Sequence, residues 1–100
     1  TPFRSENTNH VFHQYTLKLN DEINRDDLVS FLAEKDIPAM IYYPVPAHKQ
    51  KMFSDIDNEC GDLENTDWLT SRVFSLPMHT ELTIEQQNYI VESVIKFINK

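Results

Sequence analysis

The stretch Ile41-Tyr42-Tyr43-Pro44-Val45-Pro46-Ala47-His48-Lys49-Gln50 divides this 100-residue chain into two parts. Ala39 to Tyr43 reads as a short strand, because apolar and aromatic side chains suit a pleated surface. Pro44 and Pro46 have no amide to donate and cannot continue a central strand. His48 to Phe53 then reads as a helical turn. Two phenols and an imidazole are thus delivered at one stiff strand end, where they offer hydrogen bonds to a polar ligand. Successive strand residues face opposite sides, so one tyrosine is expected to pack while the other reaches out. Residue chemistry alone leaves two readings open: ligand contact or packing for Tyr42 and Tyr43, and ligand contact or a surface cap for His48.

On the N-terminal side, residues 1–9 are polar and read as extended. Val11, Tyr15, Leu17 and Leu19 alternate with Gln14, Thr16 and Lys18, the period-two pattern of a half-buried strand. Asn20-Asp21-Glu22 marks a turn. Asn24 is a good N-cap, followed by Asp26 and Asp27 in the favoured first turn. Leu28, Phe31 and Leu32 then set a short amphipathic helix, about residues 25–35, ended by Asp36-Ile37-Pro38. On the C-terminal side, Asp55 to Asn65 reads as an acidic surface loop. Thr66 is expected to cap a helix in which Leu69 and Val73 share a face near Trp68. Phe74-Ser75-Leu76 reads as a strand stopped by Pro77. Thr83-Ile84-Glu85-Gln86 is a capping box, and Ile90, Val91, Val94, Ile95 and Ile98 form a wide apolar stripe on the helix that follows. The order is β-α-β-α-β-α without repeats or linkers. It implies a single domain over 1–100, α/β of the α+β type, with two layers: about three short mixed or antiparallel strands and three or four helices mainly on one face.

A chain of this length buries roughly 60–65% of its unfolded surface, enough for one modest core. Nine basic and 16 acidic residues leave a net charge of −7, which argues against sequence-independent nucleic-acid binding. No apolar run approaches the roughly 20 residues of a membrane span, and with a polar start no signal peptide is expected. The single cysteine, Cys60, can form no internal disulfide, so a reducing, cytoplasmic setting is expected. The start at Thr1 is read as a processed or excised chain. With Gly61 the only glycine, no glycine-rich phosphate loop can be written.

Other chemistry is weaker. His10 and His13, three apart on a strand, point to opposite faces and cannot chelate one ion, so no metal site is expected. Asp55 to Gly61 begins like a calcium loop, but its glycine falls one place late and Thr66 stands where the closing Glu belongs. Neighbouring carboxylates oppose a reactive thiolate at Cys60. No Ser, His or Asp sits in a nucleophile-elbow context, and no catalytic residue is assigned.

Three segments, in order, resemble one family. His10 to Lys18 resembles the first strand of its small domain. Tyr42-Tyr43-Pro44-Val45-Pro46-Ala47-His48-Lys49-Gln50 resembles its (His/Tyr)-Tyr-Pro-x-Pro-x-His-x-Gln segment. Ser75-Leu76-Pro77-Met78-His79, with Leu82-Thr83 and Glu85-Gln86 after it, resembles its Ser-Leu-Pro-Met-His…Leu-Thr-x-Glu-Gln stretch. The family is the DegT/DnrJ/EryC1/StrS aminotransferases, fold-type I enzymes that use pyridoxal phosphate (PLP) to aminate nucleotide-linked keto-sugars. The resemblance spans nearly the whole chain but covers only the C-terminal small domain.

It implies that a larger N-terminal domain, absent here, binds PLP and carries the Schiff-base lysine. It also implies a nucleotide-sugar substrate met by Tyr42, Tyr43 and His48, a homodimer for the full-length enzyme, a fragment that is inactive alone, and a role in polysaccharide biosynthesis. Ser30-Phe31-Leu32-Ala33-Glu34-Lys35 loosely echoes the family's cofactor-lysine segment. It lacks the proline, and Phe31 belongs to the helix stripe, so Lys35 is rejected as the cofactor lysine. Tyr42 stands where the family often has His, Ala47 where Leu is common, Glu64 where Pro is frequent and Asp67 where Glu is frequent. The alternatives are a free-standing α/β binding or protein-interaction module without catalysis, and a split aminotransferase whose partner chain supplies the lysine.

Overall fold

The computed structural model describes residues 1–53 and 62–99. The acidic Asp55–Gly61 segment, with Cys60 and the calcium-like pattern, lies outside the described residues. The elements are β1 (Tyr15–Lys18), α1 (Arg25–Ala33), α2 (Glu64–Thr70), β2 (Val73–Leu76) and α3 (Ile84–Ile98), with single 3₁₀ turns at Ala47–Lys49 and Lys51–Phe53. This is the α+β small domain that the periodicities imply.

β1 and β2 pair antiparallel, with Leu17 opposite Phe74 and Thr16 opposite Ser75. On its other edge β2 meets only Met40, through reciprocal backbone bonds with Ser75 of 2.9 and 2.8 Å. The expected strand over Ala39–Tyr43 is therefore a single bridge. Pro38 before it and Pro44 after it remove the donors that would extend the ladder. β1 likewise starts at Tyr15 rather than Val11. Phe12 has φ 46°, which breaks the extended run. His10 accepts from its amide through Nδ1 and stacks on its ring, the centroids 4.1 Å apart.

Alternation along the pair sorts the two faces. Leu17, Leu19 and Phe74 face α1 and α3, and the core closes there with Leu28, Leu32, Ile37, Ile90 and Val94. Phe31 and Phe97 meet with ring centroids 5.3 Å apart and join the two helices. The opposite face carries Thr16 and Lys18, and α2 lies over it, with Lys18 Nζ 5.0 Å from the Trp68 ring centroid. The apolar stripe of α3 is wider than the core can cover. Ile90 and Val94 are buried, whereas Ile84, Val91, Ile95 and Ile98 remain exposed along the outer side.

The helix ends follow local chemistry. Asn24 Oδ1 accepts from the Asp26 and Asp27 amides. Thr83 and Gln86 close both halves of the capping box. Helix α2 departs from expectation. The Leu63 carbonyl accepts from the Thr66 and Asp67 amides, so the helix begins at Glu64, Thr66 lies inside its first turn, and Val73 belongs to β2. At the end of α1, Ile37 N–H reaches the Leu32 carbonyl and Asp36 N–H the Ala33 carbonyl, with Asp36 at φ 59°. This is a Schellman motif, and its accompanying hydrophobic contact is the buried pair Leu32 and Ile37. Glycine favours that left-handed position, and aspartate tolerates it at a cost. Asp36→Gly is therefore expected to stabilise the protein by about 0.5–1 kcal/mol, read as a higher midpoint in urea unfolding with an unchanged slope.

Candidate functional site

Tyr42 and Tyr43 are 49% and 73% exposed. The two side chains do not alternate, because no strand continues past Met40. Both rings reach outward, Tyr42 half covered. The two side chains line a cavity of about 250 Å³ over the second face of the sheet, floored by Thr16 and Ser75 and walled by Thr66 and Thr70 of α2. Thr16 and Ser75 sit opposite each other where β2 turns its backbone groups toward Met40. Side chains approach closely at such a non-hydrogen-bonded pair, and the two hydroxyls share a 2.8 Å hydrogen bond. A second, shallower hollow of about 330 Å³ is bounded by Tyr42, Tyr43, Pro44, Val45, Gln50 and Lys51. The tyrosines thus divide two concavities, one lined mainly by hydroxyl-bearing and apolar residues and the other open to solvent.

His48 lines neither hollow. It lies in the 3₁₀ turn after Pro46, and its Nε2 is 3.4 Å from Asp67 Oδ1 on α2. Lys49 Nζ donates to Asp67 Oδ2 at 2.7 Å. At 3.4 Å the histidine contact is electrostatic rather than a well-formed hydrogen bond, and Oδ1 is shielded from solvent without a hydrogen-bond donor among the described residues. The Lys49 hydrogen bond, with the charges of Lys49 and His48, holds the Asp67 carboxyl below the usual carboxylate range despite some desolvation. The sequence marked Tyr42, Tyr43 and His48 as one site. In the fold the tyrosines line the hollow, and the histidine stands away from it, beside Asp67 of α2. Asp67 was legible only as a departure from the family pattern, because its partners come from another part of the chain.

Helix α2 is itself anchored. Trp68 lies between Lys18 and Arg72, at 5.0 and 5.4 Å from its ring centroid. Arg25 Nη1 donates to the Thr70 carbonyl. Arg72 donates to the Asn20 carbonyl and pairs with Asp21 at 2.9 Å.

A larger groove, about 630 Å³, runs between the end of α1 and the N-terminal half of α3 and includes Lys35, Asp36, His79, Glu85 and Tyr89. It contains the one lysine that echoes a cofactor segment. Lys35 Nζ lies 5.1 Å from the Phe31 ring centroid, and Asp36 and Glu85 place carboxylates where a phosphate would need donors. The Thr83 and Gln86 amides at the start of α3 are already taken by the capping box. These residues do not fit a pyridoxal phosphate site. Among the described residues no group of three or more His, Cys, Asp or Glu is placed to hold a metal ion, and no helix is long and apolar enough to cross a membrane.

Residues 1–95 match the model of the DegT/DnrJ/EryC1/StrS aminotransferase family. The chain is 40% identical, over 97% of its length, to a pleiotropic regulatory protein of Geobacillus stearothermophilus, covering 25% of that protein. It is 45% identical, over 77% of its length, to a UDP-N-acetyl-3-dehydro-alpha-D-glucosamine 3-aminotransferase of Acidithiobacillus ferrooxidans, covering 20% of it. A DegT/DnrJ/EryC1/StrS aminotransferase from Brucella abortus superposes on 87% of the chain, with TM-score 0.74 and 33% identity, through 22% of its own length. The chain thus spans about a quarter or less of the length of each of these proteins.

The lowered Asp67 pKa has a definite sign. A carboxyl whose folded-state pKa is depressed contributes stability that is complete above its ordinary value and is lost as pH falls through the folded value. Asp67→Asn is therefore expected to lower the melting temperature at pH 7, with the difference from the parent closing as pH drops below the ordinary 3.8. Thermal melts across pH 2.5–7 (roughly the interval over which such a carboxyl gains its proton) check this.

Proposed function

This chain belongs to the DegT/DnrJ/EryC1/StrS aminotransferase family, and we propose that it is the C-terminal small domain of a PLP-dependent enzyme that aminates a nucleotide-linked keto-sugar. The observation that carries the reading is the Tyr42–Tyr43 corner. Two exposed phenols stand on a proline-stiffened bend at the rim of a mainly apolar hollow, an arrangement in which the phenol tips are free to hydrogen bond a polyhydroxylated ligand. The 45% identity to an enzyme named for a UDP-linked 3-keto-sugar supports that substrate class.

In this reading the cofactor, when bound by the rest of the polypeptide, supplies the electron sink for amino transfer. The present residues orient the sugar-nucleotide and exclude water from one side of the cleft. Tyr42 and Tyr43 contact substrate, and His48 supports the same wall. The uncovered band of α3 (Ile84, Val91, Ile95 and Ile98) fits a domain that packs against further polypeptide. A homodimeric, cytoplasmic whole enzyme belongs to the same reading, as does a domain that is catalytically silent by itself.

Two measurements test it. PLP added to the 100-residue chain is expected to give no stoichiometric, borohydride-trappable absorbance band; such a band would place the cofactor lysine here and overturn the reading. In the family-length enzyme that carries this chain, Tyr43→Phe is expected to raise KM for UDP-N-acetyl-3-dehydro-glucosamine about two- to tenfold, the loss of one hydrogen bond. The melting temperature should hold, since the ring is mostly exposed. An unchanged KM with a lower melting temperature would make Tyr43 a packing residue.

A further inference from the structure

We propose that Asp67 is a positioning residue, which clamps the Pro46–Gln50 turn to α2 and so holds the Tyr42–Tyr43 corner in register with the sheet. The inference rests on reading that corner as a substrate wall.

Among the described residues the corner is held at its start by the Met40 bridge and by Ile41 packed against the core. Between the Met40 bridge and the 3₁₀ turn, Ile41 to Val45 makes no backbone hydrogen bond to the sheet among the described residues. The prolines stiffen the segment internally, but a stiff segment attached at one end still swings as a unit. Its second attachment is ionic. One Asp67 carboxylate meets two side chains of the Ala47–Lys49 turn, Lys49 Nζ at 2.7 Å through Oδ2 and His48 Nε2 at 3.4 Å through Oδ1. The Lys49 hydrogen bond fixes the distance, and His48 beside it packs its ring edge against the other oxygen of the same carboxylate. The turn has its own closure, with the Lys49 amide bonded to the Pro46 carbonyl and the Gln50 amide to the Ala47 carbonyl, so a force applied at Lys49 is transmitted to Pro46.

The other end of the clamp is fixed. Asp67 is in the first turn of α2, next to Trp68, whose ring is contacted by Lys18 of β1 and by Arg72, just before β2. Arg25 of α1 holds the Thr70 carbonyl at the end of the same helix. The path from sheet to Trp68, Asp67, His48 and Lys49 and then to the bend is continuous in contacts. Thr66, adjacent to Asp67, lines the hollow beneath the tyrosines, so the same short helix sets one wall of the hollow and the position of its rim.

The test uses the family-length protein with Asp67→Asn and Asp67→Glu. Asn keeps the shape and removes the charge; Glu keeps the charge and lengthens the arm. Amide hydrogen exchange at Lys49 and Gln50 is expected to quicken about two- to fivefold in Asp67→Asn, the range for a partly exposed ion pair. Exchange in β1 and β2 should quicken by clearly less than at Lys49 and Gln50, and Glu should restore the parent rate. KM for UDP-N-acetyl-3-dehydro-glucosamine should rise by a similar factor in Asp67→Asn, with kcat nearly constant, and recover with Glu. Unchanged exchange at Lys49 and Gln50, or acceleration spread equally over the sheet, overturns the clamp. Tyr43→Phe, measured in parallel, separates the two ideas. A KM indifferent to Tyr43→Phe removes the substrate wall, while the exchange rates decide the clamp by themselves.

Discussion

Strand β2 is the constraint on which the rest of the molecule depends. It is only four residues long, yet it is buried on both faces and paired on both edges. Phe74 is almost wholly enclosed by α1, α3 and the end of β1, and burying a ring of that size contributes more than any surface contact in this small domain. Ser75, next in the chain, must point the other way. There it is also buried, and its hydroxyl is satisfied by Thr16. Its backbone N–H and C=O are claimed by Met40. A buried polar residue with every group paired fixes register more tightly than apolar packing does, because a slip by one residue would strand both the hydroxyl and the amide.

The Tyr42–Tyr43 corner inherits its position from that register. The Met40–Ser75 bridge delivers the chain to Ile41, and the prolines then forbid the ladder from continuing. Beyond the bridge the tyrosines are free of the sheet, which is why both rings reach out rather than alternating. The polar face of β1 and β2 thereby becomes the floor of a hollow instead of a packed layer. Helix α2 completes it from the other side. It has no buried residue, and cation–π contacts, carbonyl bonds and one shared carboxylate hold it in place. Such contacts depend on direction more than on area, which suits an element that sets geometry at a site.

Much of the fold was legible in the residues. Asn24, the Thr83–Gln86 box and the Asp36-Ile37-Pro38 stop each act within a few residues of themselves, and each appears where the pattern places it. The period-two run through Leu17 and Leu19 also sorted the sheet faces correctly. Departures occur where local signals compete. Thr66 has the chemistry of a cap, but the Leu63 carbonyl takes that place and draws Thr66 into the helix. Val11 fits the strand alternation, but Phe12 turns left-handed against His10. Ala39–Tyr43 has strand composition, but its flanking prolines leave one bridge.

The sequence by itself determined the caps at Asn24 and Thr83, the proline bend, the α+β class and the family, since these rest on neighbours in the chain and on ordered motifs. Only the tertiary structure decided that Ile90 and Val94 are core while Val91 and Ile95 stay exposed, because a helix face has no inside until another element covers it. Only the tertiary structure decided the partners of Thr16 and Asp67 as well. The Thr16–Ser75 bond spans 59 residues and the Lys49–Asp67 bond 18. No periodicity encodes such separations. They exist because the fold sets β1 and the Met40 segment on the two edges of β2 and lays α2 over the same face.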